Sequence, residues 1–96
     1  MLFRSELYRV KGEMLLLEGA DAAEVEACFH QAIEVARKQS AKSFELRAVT
    51  SLSRLWQRQD KRTEARDLLS HIYRWFTEGF DTADLQDAKL LLEELA

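Results

Sequence analysis

The 96-residue sequence contains no proline, three glycines and one cysteine. Strand architectures with tight turns need more proline and glycine than this, so long helices are expected instead. A single cysteine excludes an internal disulfide framework and fits a reducing compartment. No apolar run approaches the roughly 18 residues that a membrane span requires. Met1 to Arg4 shows no apolar core of a secretion signal, so the expected location is cytoplasmic and no membrane partner is expected.

Hydrophobic residues make up 47% of the chain and charged residues 32%, with a net charge of -3. That is the composition of one small globular domain, with an expected extent of residues 1–96. The charge is uneven: residues 1–42 sum to -1, residues 43–76 to +3 and residues 77–96 to -5. The basic middle and the acidic tail are therefore expected to attract one another, within one molecule or between two.

Apolar spacing predicts five helices. The first runs from Leu2 to Leu17 and stops near Gly19. Asp21 and Glu24 form an acidic variant of a capping box ahead of the second. Its apolar stripe is Val25, Cys28, Phe29, Ala32, Ile33 and Ala36, with Cys28 read as a small core residue. The third starts near Ser43 and carries Phe44, Ala48, Val49, Leu52, Leu55 and Trp56 on its stripe. The fourth carries Ala65, Leu68, Leu69, Ile72, Tyr73 and Phe76. After Gly79, Asp81 with Asp84 reads as a cap, and Phe80 with Leu85 as a hydrophobic staple. The last helix shows Leu85, Ala88, Leu92 and Leu95 on one face, and Trp75, Phe76 and Phe80 are expected to fasten it.

The first four helices repeat as two pairs. Phe29-x-x-Ala32-Ile33 overlays Leu69-x-x-Ile72-Tyr73 at an offset of 40 residues, and Gly12 and Leu15 overlay Ser53 and Trp56 at 41. A two-helix unit at such a period is the mark of an α-solenoid. Gly12 and Ser53 are small residues in the leading helix, each followed three places later by a bulky one. In the second helices, Ala65-x-x-x-Leu69-x-x-Ile72 and Val25-x-x-x-Phe29-x-x-Ala32 follow. This pattern resembles the tetratricopeptide repeat. The departures are a period above that family's usual length, Val25 in place of alanine, and the missing closing proline. The resemblance implies an all-α superhelix with a right-handed turn. It would hold two helical hairpins, about residues 2–40 and 43–77, and a capping helix at about 81–95.

The runs Glu6-Leu-Tyr-Arg-Val-Lys-Gly-Glu13, Ala27-Cys-Phe-His-Gln-Ala-Ile-Glu-Val-Ala-Arg37, Glu64-Ala-Arg-Asp-Leu-Leu69 and Tyr73-Arg-Trp-Phe-Thr-Glu-Gly-Phe-Asp-Thr-Ala-Asp-Leu85 carry a narrower likeness. They resemble the C-terminal repeat segment of large bacterial adenylate or guanylate cyclase-like proteins with an ATPase domain. That likeness implies a regulatory region in signal transduction, without catalytic residues of its own.

No phosphate-cradling Gly-Lys-Ser/Thr turn occurs, and Cys28 and His30 lie two apart on a helix, facing different directions. A catalytic role for His71 beside Asp67 would also need a nucleophile and a cleft, so no enzyme, metal or cofactor site is expected. Arg47, Arg54, Arg58, Lys61, Arg62 and Arg66 beside Trp56 raise nucleic-acid binding, which the acidic isoelectric point near 5.4 opposes.

The expected function is a non-catalytic protein-interaction module that holds a protein or peptide on its leading helices. Its surface residues would be Arg9, Glu13, Arg47, Thr50, Arg54 and Gln57. The first helix also carries a second apolar stripe, Leu7, Val10, Met14 and Leu17, which must be covered by another chain or by Leu2 and Phe3. Self-association into a homodimer is the expectation, because large bare apolar patches are rare on monomers.

Overall fold

The computed structural model describes residues 4–76 and 82–96, and every element among them is a helix. In order these are α1 (Arg4–Leu17), α2 (Ala22–Lys38), α3 (Lys42–Arg58), α4 (Arg62–Trp75) and α5 (Ala83–Leu95). The expected five helices are present, and α3 begins one residue before Ser43. Helix α1 packs on α2 and α3 on α4, giving two hairpins. Helix α3 also packs on α1 and α2, and α5 on α3 and α4. So α1, α3 and α5 lie side by side in one layer with α2 and α4 behind them, in a slab of 38 × 34 × 19 Å.

The three turns between the first four helices share one geometry. At the end of α1, Gly19 N–H donates to the Leu16 carbonyl and Ala20 N–H to that of Leu15. Ser40 and Ala41 repeat this on Arg37 and Ala36, and Asp60 and Lys61 on Gln57 and Trp56. This double bond closes the orphan carbonyls of a helix end and requires a left-handed residue. Gly19, Ser40 and Asp60 supply it, at φ of 76°, 53° and 64°.

The helix starts differ from expectation. Asp21 stands at the N-cap of α2, but its side chain makes no cap bond. It is exposed, so water can serve the first-turn N–H groups there. Helix α5 is capped by Thr82, whose hydroxyl accepts from Leu85 N–H at 3.3 Å. Phe80 and Asp81, expected as staple and cap, lie outside the described residues.

The core is continuous across α2 to α5, from Val25, Phe29 and Ile33 through Leu46, Val49 and Leu52 to Leu69, Ile72, Leu85 and Leu91, and α1 packs Tyr8, Leu15 and Leu16 against it. Helix α3 is buried on most of its circumference because it alone touches the other four. Its stripe therefore broadens beyond the apolar residues to Glu45, Thr50, Ser51 and Ser53. In α5, Leu85, Ala88 and Leu95 are buried as expected, together with Leu91 where Leu92 was expected; Leu92 packs at the edge. Cys28 is half-buried, at the edge of the α2 stripe and outside the core.

Glycine matters at one crossing. A Cβ on Gly12 would lie 2.6 Å from Phe29 Cε1, so α1 reaches α2 this closely only without a side chain. The corresponding Ser53 is fully buried, and its hydroxyl reaches the Ala65 carbonyl at 3.4 Å. Ser5 adds a second tie in the first hairpin, donating to the Ala32 carbonyl at 2.8 Å.

Candidate functional site: a polar groove on the leading helices

A groove of about 240 Å³ runs over the layer formed by α1, α3 and α5. Helix α1 contributes Arg9 and Glu13, α3 contributes Arg47, Thr50, Ser51 and Arg54, and α5 contributes Asp84 and Asp87. Five of the six residues expected on the interaction surface thus meet in one place. They meet because Arg9, Glu13, Arg47, Thr50 and Arg54 recur at helical spacing on one face of two adjacent helices. The sixth, Gln57, lies one turn beyond Arg54, where its amide donates to Glu94 at 3.1 Å.

The charges in the groove form a chain of ion pairs. Arg47 bridges three helices: its Nη1 meets Glu6 of α1 at 2.8 Å, and its Nε meets Asp84 of α5 at 2.8 Å. Arg9 Nε binds the other oxygen of Glu6 at 2.8 Å, and its Nη1 stands 3.8 Å from Glu13. Arg54 Nη2 faces Asp87 at 3.6 Å. Ser51 Oγ donates to Glu13 at 3.1 Å. The basic middle and the acidic tail therefore attract each other within one molecule. Arg62 of the same basic cluster is also engaged, donating to the Glu94 carbonyl.

Two of these groups titrate away from their ordinary values. Partial burial would raise Glu6, but hydrogen bonds from Arg9 and Arg47 outweigh it and hold its carboxyl below the usual range. Arg47 is pushed further up, first by its bond to Asp84 and then by Glu6.

Thr50 plays a different part from the one expected of it. It is 5% exposed, and its hydroxyl donates to the Leu46 carbonyl one turn back at 2.7 Å. It shapes the groove floor and offers little to a partner. Sequence reasoning missed Glu6, Ser51, Asp84 and Asp87. Glu6 stood three residues before Arg9, a legible pair. The two aspartates became visible only once α5 was placed against α3.

Trp56, expected in the core, is half-buried, and its indole N–H donates to Glu26 of α2 at 2.9 Å. That bond and the core packing turn it away from a role as a stacking platform. At the other end of α3, the buried Glu45 carboxylate is held by Arg37 at 3.0 Å and Lys42 at 3.4 Å. Lys42 also stands over the exposed Trp75 ring, 5.4 Å from its centre.

The expected self-association face is not covered by any of the described residues, and Leu2 and Phe3, the other expected cover, lie outside them. Leu7, Val10, Met14 and Leu17 are 68%, 44%, 55% and 88% exposed. They account for four of the six exposed large apolar side chains among the described residues. Among those residues, no helix is long and apolar enough to cross a membrane, and no group of three or more His, Cys, Asp or Glu side chains could hold a metal ion. No family model, curated protein or solved structure matches the chain.

Proposed function

We propose that this chain is a non-catalytic protein-interaction and assembly module of tetratricopeptide-like form, which receives a peptide segment in the polar groove and associates with itself through α1. The superhelical reading draws on the order of packing. Helices α3 and α5 each lie on both helices of the hairpin before them. Each hairpin also crosses at a small residue, Gly12 over Phe29 and Ser53 over Ala65.

The observation that carries the interaction reading is the groove itself. Both signs of charge alternate along it, on side chains that remain substantially exposed: Glu13, Arg47, Arg54 and Asp87. Exposed ion pairs are worth only about 0–1 kcal/mol each, so an incoming chain can exchange them for its own at little cost. A polar peptide carrying both signs of charge suits this lining better than an apolar ligand does. The two hydroxyls on the floor, Thr50 and Ser51, are already bonded within the module, which fits binding better than chemistry.

Selection from a displayed random-peptide library tests the reading. Enriched peptides should lose about tenfold or more in affinity to Arg54→Glu and to Glu13→Arg, and little to Arg58→Glu, which lies outside the groove lining. Peptides that bind all three variants equally would remove the groove as the site.

A further inference from the structure

We infer that two copies of this chain pair through α1 with the two helices antiparallel. This rests on the reading of the chain as an assembly module and gives its self-association a geometry. The first support is spacing. Leu7, Val10, Met14 and Leu17 follow one another at intervals of three, four and three residues. That is the spacing of a seam that meets a single partner helix, narrower than the stripe of a helix sunk in a core.

The second support is side-chain size. The 41-residue offset that lays Gly12 on Ser53 lays Leu7, Val10 and Met14 on Ala48, Ser51 and Leu55. Those three residues of α3 are buried, and Ser51 bonds to Glu13 of α1. Alanine and serine let α3 come close to the hairpin before it. The leucine and valine at the same places on α1 hold a partner further out, at the distance of interlocking side chains. A second copy of α1 presents the same four side chains and fills that space symmetrically.

The third support is charge. One edge of the seam carries Arg4, Lys11 and Glu18, seven residues apart and all exposed. Among the described residues, none of the three forms an ion pair within the chain. In an antiparallel pair this edge faces its own copy reversed, so Arg4 meets Glu18 of the partner subunit at both ends and the two Lys11 side chains meet at the centre. In a parallel pair Lys11 would instead face the opposite edge, where Glu6 lies. Glu6 is already bound by Arg9 and Arg47.

Sedimentation equilibrium over a concentration series reads the prediction. The chain should dimerise, and Met14→Asp should abolish the dimer with the helical circular dichroism unchanged, since Met14 is exposed within the monomer. Arg4→Glu and Glu18→Arg should each weaken the dimer about tenfold, because symmetry counts each change twice. The double variant should recover most of that loss. Lys11→Ala should tighten the dimer about threefold by removing the central repulsion. A monomer up to millimolar concentration overturns the inference. So does a dimer that Met14→Asp leaves intact, that the double reversal fails to restore, or that Lys11→Ala weakens. The groove answers to separate variants, so a chain that dimerises through α1 yet selects no peptide loses only the groove reading.

Discussion

Helices α1 and α3 begin successive hairpins in the same register, yet their outer faces meet opposite fates. Nine residues of α3 are buried, against Ser5 and Gly12 alone on α1. The difference lies in the neighbours. Helix α3 lies on the whole α1–α2 hairpin and receives α5 on its far side, whereas among the described helices α1 meets only α2 and α3. Register therefore decides which side chains share a face, and stacking decides whether water reaches them.

The largest expected effect tests this contrast directly. Leu55 and Met14 are equivalent positions, 4% and 55% exposed. Leu55→Asp places an unpaired carboxylate in the core and should cost about 4 kcal/mol, a large share of the stability of a domain of this size. Met14→Asp should change monomer stability by less than about 0.5 kcal/mol. Urea denaturation, run below the concentration at which copies associate, compares the two. Equal losses would mean that α1 is covered within the monomer, and the contrast would disappear.

The second comparison is between the two hairpin crossings. Gly12→Ala brings a methyl group to 2.6 Å from a ring that is itself fully buried and has nowhere to retreat. Overpacking of this kind costs about 1–3 kcal/mol, only partly offset by alanine's helix preference, so a net loss near 1.5 kcal/mol is expected. Ser53→Ala gives up only a 3.4 Å bond and should cost below about 1 kcal/mol. Adding Phe29→Leu to Gly12→Ala gives the first hairpin the residue that overlays Phe29 in the second, Leu69. It should restore part of the loss non-additively. Strict additivity in denaturation midpoints would show that the two crossings are not interchangeable.

Much of this arrangement was legible before any coordinates. The 3.6-residue period placed all five helices, because burial of one face is what holds short helices together. The small residue at 12 stands where α1 closely approaches Phe29, and the uneven charge foretold that the acidic tail would meet the basic middle, though not through which side chains. What was hidden depends on tertiary neighbours. Leu92 and Leu91 differ by one step around α5, and only the tilt of α5 on α3 and α4 selects Leu91. Thr50 read as a surface group because its side is polar, and its burial follows from α3 being central.

A third test separates the polar face from the apolar one. Glu6 titrates below the usual carboxylate range in the folded chain. A depressed folded value adds stability above the unfolded carboxylate range, and that contribution disappears as pH falls through the folded value. Arg47→Gln removes one of the two guanidinium partners and should flatten this acid limb, at a cost of about 1 kcal/mol near neutrality after discounting for solvent. Denaturation midpoints measured between pH 7 and pH 3 read both effects (about neutral to strongly acidic, spanning carboxylate titration). A variant whose acid limb matches the parent would show that Arg9 alone sets the Glu6 carboxyl.

The smallest effect concerns the three turns that share one geometry. Gly19 meets the left-handed requirement at no steric cost, whereas Ser40 at φ 53° pays for its Cβ. Asp60 sits in the same region, which aspartate tolerates better than serine does. Glycine also loses more freedom on folding, which takes back part of the gain. The balance predicts that Ser40→Gly raises stability by about 0.5 kcal/mol and Asp60→Gly by less, both read as shifts in the denaturation midpoint. The ranking matters more than either value. It follows from side-chain chemistry alone, because the backbone bonds that close the two turns are the same, and a larger gain at Asp60 than at Ser40 would mean that the turns differ in strain.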